Sequence, residues 1–196
     1  AGGQNPGYIN NICHITMSTS GNQVDRGGDL TVARRTLGGA SNSTRGIFFG
    51  GQNANPNSNA GLTNTIDFIT IASTGDAQDF GDINSARAAV GNLSNETRAV
   101  CFAGSLSDGS KPTQIDAVTI AATGRAFDFG DMSTHTQNTA NLASSTRGIM
   151  AGGSQPSRTN TIQFITINTS GNTVDFGDLT VVGAAGGATT ASYNGI

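Results

Sequence analysis

The chain has 196 residues, 35% of them hydrophobic and only 12% charged, with a net charge of −3. No basic run or aromatic stripe is present to hold a nucleic acid, and no apolar stretch approaches the roughly 18 residues of a membrane span. One Lys (Lys111) and one Glu (Glu96) leave little material for long amphipathic helices, whereas abundant Gly, Ser, Thr and Asn favour short strands and turns.

The first predicted strand is Asn11 to Met17, after a polar segment from Gln4 to Asn10. A turn at Ser20-Gly21-Asn22 returns the chain to Gly27-Gly28-Asp29. An inner strand rich in small residues follows at Leu37-Gly38-Gly39-Ala40, and then a strand that ends in Phe49-Gly50-Gly51. The loop Gln52 to Asn64 leads to the alternating run Thr65 to Ile71, the turn Thr74-Gly75-Asp76 and Phe80-Gly81-Asp82. The same order recurs through Ala103-Gly104, the loop Ser105 to Thr113, Gln114 to Ile120, Thr123-Gly124-Arg125 and Phe129-Gly130-Asp131. It recurs again through Ala151-Gly152-Gly153, the loop Ser154 to Asn160, Thr161 to Ile167, Ser170-Gly171-Asn172 and Phe176-Gly177-Asp178. A last inner strand is expected at Ala184-Ala185-Gly186-Gly187.

The copies share one spacing. Fifteen residues separate Leu30, Ile83, Met132 and Leu179 from Arg45, Arg98, Arg147 and Asn194. Four strands per copy and about 49 residues per repeat describe the blade of a β-propeller. Ala1-Gly2-Gly3 matches Ala151-Gly152-Gly153, and Gly195-Ile196 matches Gly148-Ile149. An initiator Met would fill the place of Met150 between them. The expectation is a single all-β domain over 1–196: a four-bladed ring closed by its N- and C-terminal strands, with residues 1–30 and 180–196 sharing the closing blade. An open solenoid, or part of a longer array, is the competing reading.

The copy with Gly27-Gly28-Asp29 in place of Phe-Gly-Asp also has Asn194 in place of Arg. This joint departure suggests contact between the Asp-bearing turn and the Arg-bearing strand, as Arg98–Asp131, Arg147–Asp178 or Arg45–Asp82. Such pairs would be structural; the functional alternative is a ring of Asp29, Asp82, Asp131 and Asp178 around a cation. Phe80, Phe129 and Phe176 are expected to pack between blades.

The unit resembles a kelch-type repeat. The shared features are Ile47-Phe48-Phe49-Gly50-Gly51, a variable loop, the alternating strand Ile66 to Ile71, the aromatic Phe80 and an Arg-containing link at Arg34 and Arg87. Phe takes the place of the usual Trp, and four blades are fewer than the family's usual six or seven. The wording of residues 65–82 and 41–47 is similar to repeats in structural and tail-fibre proteins of marine bacteriophages, including cyanophages. That resemblance implies a virion or extracellular location and a host-recognition or structural role.

No catalytic constellation is expected, and no cofactor or metal site. Tyr8, Tyr193, His14 and His135 do not supply the ligands of a copper-radical propeller. Glu96 as the single Glu gives no acid–base pair, and no Gly-x-Ser-x-Gly elbow occurs. His14, at the place of Phe68 and Phe164, is expected to be packed; His135 is expected to be solvated. Cys13 and Cys101 are read as buried thiols. The sequons at Asn42, Asn92, Asn95 and Asn168 are expected by chance. Binding residues are sought in the variable loops, which share one face: Tyr8, Asn53, Asn55, Asn59, Asp108, Lys111, Gln155 and Arg158. The expected partner is a host surface glycan or another virion protein, with self-association allowed. A ligand-free structural protein, a secreted lectin and a glycan-cleaving enzyme are the alternatives.

Overall fold

A computed structural model describes residues 1–53, 61–154 and 156–184. Among these residues all regular structure is β-strand, in five small antiparallel sheets. The strands are β1 (Gly3–Gln4), β2 (Tyr8–Ile9), β3 (Asn11–His14), β4 (Val24–Asp29), β5 (Gly38–Ser41), β6 (Arg45–Phe49), β7 (Thr65–Thr70) and β8 (Gln78–Asp82). They continue as β9 (Gly91–Ser94), β10 (Arg98–Phe102), β11 (Gln114–Thr119), β12 (Phe127–Asp131), β13 (Ala140–Ala143), β14 (Arg147–Ala151), β15 (Thr159–Thr166) and β16 (Val174–Gly183). Three four-stranded meanders run β5-β6-β7-β8, β9-β10-β11-β12 and β13-β14-β15-β16. The pairs β1–β2 and β3–β4 precede them.

A sheet of four-residue strands cannot stabilise itself by hydrogen bonding alone; it must bury its faces against neighbours. Ile66, Asp67 and Phe68 are all buried on β7, so that strand is covered on both faces. One core joins Ile47, Phe49, Ile66 and Phe80 of the first meander to Ala99, Val118 and Ile120 of the second. The next joins Val100, Phe102, Ile115 and Phe129 to Met150, Ile165 and Ile167. A smaller core of Ile12, Leu30 and Ala77 joins the β3–β4 pair to the first meander.

Backbone contacts repeat at every one of these joints. Ala77 N–H donates to Asp29 O, Ala126 N–H to Asp82 O, and Thr173 N–H to Asp131 O, each at 2.8 Å. Gly124 N–H donates to Phe80 O and Gly171 N–H to Phe129 O, both at 2.7 Å. The central Gly of Phe-Gly-Asp is therefore dictated twice. Gly81 and Gly130 have φ of +139° and +146°, and a methyl group on either would collide with the carbonyl of Gly124 or Gly171. Each sits at a β-bulge, opposite the register shift that follows Ile66 or Ile115. The Asp two residues earlier ties the bulge down. Asp25, Asp79, Asp128 and Asp175 each accept the N–H of the glycine two residues on, at 2.9–3.1 Å.

Fully buried ion pairs cross two of the units. Arg34 Nη1 lies 2.8 Å from Asp67 Oδ2, and Arg87 Nη2 lies 2.6 Å from Asp116 Oδ2. Thr31 donates through its N–H and its hydroxyl to Asp67, and Asn84 Nδ2 donates to Asp116. Burial pushes the Asp116 carboxyl up, and the Arg87 charge and the Asn84 amide pull it back down. The third meander has Thr136 and Gln163 at the equivalent positions, both buried and neutral. Gln163 Oε1 accepts from Ser133 N–H and from the hydroxyls of Ser133 and Thr173. In each unit the two positions are charged together or neutral together, because one buried charge without its partner is costly.

The pairing expected between Asp of Phe-Gly-Asp and the downstream Arg does not form. Asp82 and Asp178 are exposed, and Asp131 accepts from the Thr113 hydroxyl. The Arg residues instead lie over aromatic rings, Arg45 over Phe68 at 4.6 Å, Arg98 over Phe127 at 5.5 Å and Arg147 over Phe164 at 4.8 Å. Phe68 meets Phe80 edge-on, and Phe164 meets Phe176 likewise. In those two meanders the link between Arg and Phe-Gly-Asp runs through this aromatic pair. The first unit lacks it: Arg26 precedes Gly27, His14 stands at the place of Phe68, and His14 is exposed rather than packed. Arg26 reaches instead to the carbonyls of Thr70, Ile71 and Ser73.

Two further expectations are revised, and a third lies almost wholly outside the described residues. The first strand ends at His14, not Met17, since nothing covers residues 15–17 among the described residues. Phe80 and Phe129 are buried as expected, but Phe176 is exposed because no described sheet follows β16. Ala184 is outside any strand, and Ala185, Gly186, Gly187, Asn194, Gly195 and Ile196 lie outside the described residues. Among the described residues, no backbone hydrogen bond joins the last meander to residues 1–30.

Replacing Arg87 by Thr alone should cost about 3–5 kcal/mol by stranding the Asp116 charge. The double variant Arg87→Thr with Asp116→Gln, which copies the third meander, should recover most of that loss. Urea denaturation of the single and double variants measures both.

Candidate ligand-binding face

Antiparallel order fixes which connections share an end of the sheets. The β6–β7, β10–β11 and β14–β15 connections lie at the same end as the links that carry Arg35, Ala88 and Gln137 to the next inner strand. Isolated bridges confirm this adjacency: Arg35 pairs with Gln52, Ala88 with Ser105, and Gln137 with Ser154. The variable loops therefore stand on one end of the sheets, on a floor whose backbone bonds are the same in each unit.

Among the described residues, Tyr8, on β2, is the one sequence-predicted residue at the centre of a cluster. The Arg35 guanidinium lies 5.8 Å from its ring centroid. Arg35 Nη1 donates to Gln4 Oε1 at 2.8 Å, and Nε and Nη2 both donate to Gln52 Oε1 at 3.2 and 3.0 Å. The planar guanidinium fixes two amide side chains beside the phenol ring. Gln4, Arg35 and Gln52 were not singled out from the sequence. Their signal is departure from the repeat: Arg35 aligns with Ala88, and Gln52 with Ser105 and Ser154. An aromatic ring bordered by amides and a guanidinium is chemistry that stacks on a sugar and bonds its hydroxyls.

The other predicted residues are separate from this cluster. Asp108 accepts from Ser110 N–H and Oγ at 2.8 and 2.6 Å, which hold its carboxyl below the ordinary range. Lys111 Nζ donates to Gly109 O at 2.5 Å, so both charges serve their own turn. Asn53 is exposed and its N–H donates to Gly61 O at 2.8 Å. Arg158 is exposed and pairs with Ser154 across the short loop. Asn55, Asn59 and Gln155 lie outside the described residues.

A cavity of about 370 Å³ lies between the inner strands, lined by Gly39 to Ser41 of β5, Asn92 to Ser94 of β9 and Ala143 to Ser145 at the end of β13. Asp82, Asp131 and Asp178 are on β8, β12 and β16, the strands farthest in sheet order from the inner strands, and Asp29 is on β4 of the β3–β4 pair. They line no part of this cavity, so a ring of Asp around a central cation is not formed.

Two sequons turn out to be turn builders. Asn42 Oδ1 accepts from the N–H groups of Thr44 and Arg45, and Asn95 Oδ1 from those of Thr97 and Arg98. Ser144 does the same in the third meander for Thr146 and Arg147. His135 is exposed, as expected. Cys13 is half-buried rather than buried, Cys101 is fully buried, and both are free thiols. No family model matches the chain, and no curated protein sequence matches it.

Burial pushes the Cys101 thiol up, against the pull of the adjacent Arg87. Its thiolate is therefore scarce at neutral pH, and it is out of reach of solvent. Alkylation of the native protein should label Cys13 first, with Cys101 reacting only once denaturant opens the core. Peptide mass mapping over a time course measures the order.

Proposed function

We propose that the chain is a non-enzymatic recognition module: a four-bladed, kelch-like β-propeller of a phage particle. Its variable-loop face would hold a host surface glycan or a neighbouring virion protein. The observation that carries this reading is the contrast between a floor whose bridges recur in three units and loops that vary upon it. Gln52 to Asn64, Ser105 to Thr113 and Ser154 to Asn160 follow equivalent strands, run to 13, 9 and 7 residues, and share little beyond the Ser that opens the last two and the Thr-Asn that closes the first and third. A scaffold under one set of constraints and loops under another is how repeat proteins diversify a binding face.

The ring reading is supported by three meanders of identical strand order whose inner strands line one cavity. The glycan reading is supported by the Tyr8–Arg35–Gln4–Gln52 cluster, and the phage assignment by the similarity of residues 41–47 and 65–82 to phage repeats. Sugar binding at a shallow aromatic platform would fall in the millimolar to micromolar range. A virion part that docks only to protein neighbours is the second reading, favoured by the exposed apolar groups Val174, Phe176, Val181 and Val182 on the last strand.

The test is a binding screen of the purified chain against a glycan array and whole marine cyanobacterial cells. Under the glycan reading, Tyr8→Ala should weaken binding by at least about tenfold, equivalent to about 1.4 kcal/mol. Gln4→Ala, in the same cluster, should weaken it further, whereas Lys111→Ala, outside the cluster, should leave it unchanged. Absence of binding by the folded protein would turn the assignment toward the protein-docking role.

A further inference from the structure

Every internal joint uses the same two parts. The trailing part is the outer strand of one unit, with its bulge glycine and the Asp after it. The leading part is the Gly-containing hairpin turn of the next unit, here Gly75-Asp76, Gly124-Arg125 and Gly171-Asn172. At the joint onto the third meander, Gly171 N–H bonds Phe129 O, Thr173 N–H bonds Asp131 O, and Asn172 Oδ1 accepts Asp131 N–H at 2.9 Å. On the first meander, Asp76 Oδ1 likewise accepts Asp29 N–H at 3.0 Å.

One copy of each part is left over. Among the described residues, the trailing edge Phe176-Gly177-Asp178 has nothing within 4 Å of where a Gly177 side chain would start, whereas Gly28, Gly81 and Gly130 are pressed against a carbonyl. Phe176 is 54% exposed, against 2% for Phe80 and Phe129. The unused leading hairpin reads Ser20-Gly21-Asn22-Gln23-Val24-Asp25, close to the docked hairpin Ser170-Gly171-Asn172-Thr173-Val174-Asp175. Met17 is 94% exposed, against 44% for Ile71 and 0% for Ile120 and Ile167 at the same place. Arg45 Nη1 donates to Ile120 O and Arg98 Nη1 to Ile167 O across a joint, and Arg147 is seated on Phe164 with no such carbonyl in reach among the described residues.

We propose that these leftovers are the two halves of one further joint, and that the occupant of the β16 edge is the first unit of the same chain. Gly21 N–H then bonds Phe176 O, Gln23 N–H bonds Asp178 O, Asn22 Oδ1 accepts Asp178 N–H, and Arg147 donates to Met17 O. One observation points to the same chain rather than a second copy: three successive inner strands line one small cavity, so the sheets are arranged around a common centre rather than along a line. The joint itself is supported by the residues it would bring together: Gly183 stands at the Arg34 and Arg87 position and Cys13 at the Asp67 and Asp116 position. The unit they would share is thus neutral at both places, in keeping with the rule of the other three. The inference deepens the ring reading above and is independent of what the loops bind.

The experiment introduces Asn22→Cys with Asp178→Cys in a Cys13→Ser background, with Asp131→Cys and Asn172→Cys as the internal control. Mild oxidation should give an intrachain cross-link in the monomer, in a yield within about twofold of the control for shared geometry. Cross-linked dimers or ladders, or no link where the control links, would overturn the proposal. A second readout needs no new thiols. Gly177→Ala and Gly130→Ala carry similar φ strain, so equal falls in thermal midpoint are expected if Gly177 is also pressed against a carbonyl. A clearly smaller fall for Gly177→Ala would show that edge to be free. Neither measurement uses a ligand, so failure of the glycan reading leaves both outcomes legible.

Discussion

The structure depends on backbone meeting backbone at each joint between units. A four-residue strand buries too little to hold its own conformation, and a meander of such strands gains its stability only by stacking. The stacking distance is set where a bulge glycine of one unit touches the turn of the next. Any side chain there would hold the sheets apart and empty the cores built on Phe80 and Phe129. The recurring local chemistry of the bulge follows from this demand: an Asp holds the glycine N–H, and φ lies where only glycine is at ease.

The buried polar crossings answer a different need. Each link returns from an outer strand to the next inner strand across the end of the sheets, with Arg34, Arg87 or Thr136 buried along it, so the carbonyls at these positions need donors inside. Gly51 N–H serves Arg87 O, Gly104 N–H serves Thr136 O and Gly153 N–H serves Gly183 O, at 2.7–3.0 Å. Arg34 and Arg87 extend the same service to the carbonyls of Phe48 and Cys101 while pairing with their Asp. Thr136 and Gln163 show that the position requires hydrogen bonding, not charge.

Repeat spacing made the architecture legible. Strand type, strand order, hairpin turns and the Gly-rich inner strands followed from it, because period and turn chemistry are local properties. The partner of each Arg did not. Co-departure of Phe-Gly-Asp and Arg was visible, but sequence cannot tell a direct contact from one relayed through a third residue, and here Phe68 and Phe164 are the relay. The Arg34–Asp67 and Arg87–Asp116 pairs were not legible either, because their partners lie 33 and 29 residues apart across loops of unequal length and share no fixed spacing. On the loop face, Tyr8 was found by its chemistry, whereas Gln4, Arg35 and Gln52 required the fold to bring three distant segments together.

In the first and third meanders the loops leave and re-enter the sheets through the same bonded frame although their lengths differ; in the second, Pro112 stands where that N–H would be. Thr63 N–H returns to Gly51 O after the long loop, and Thr159 N–H returns to Gly153 O after the short one, both at 3.0 Å. Chain closure is therefore settled at the frame, and added length costs only the slow logarithmic rise of loop entropy, about 0.6 kcal/mol per doubling. Insertions, deletions and exchanges at this end of the molecule are thermodynamically cheap. The same face can thus be rewritten over evolutionary time, or by an engineer, one loop at a time and without renegotiating the core.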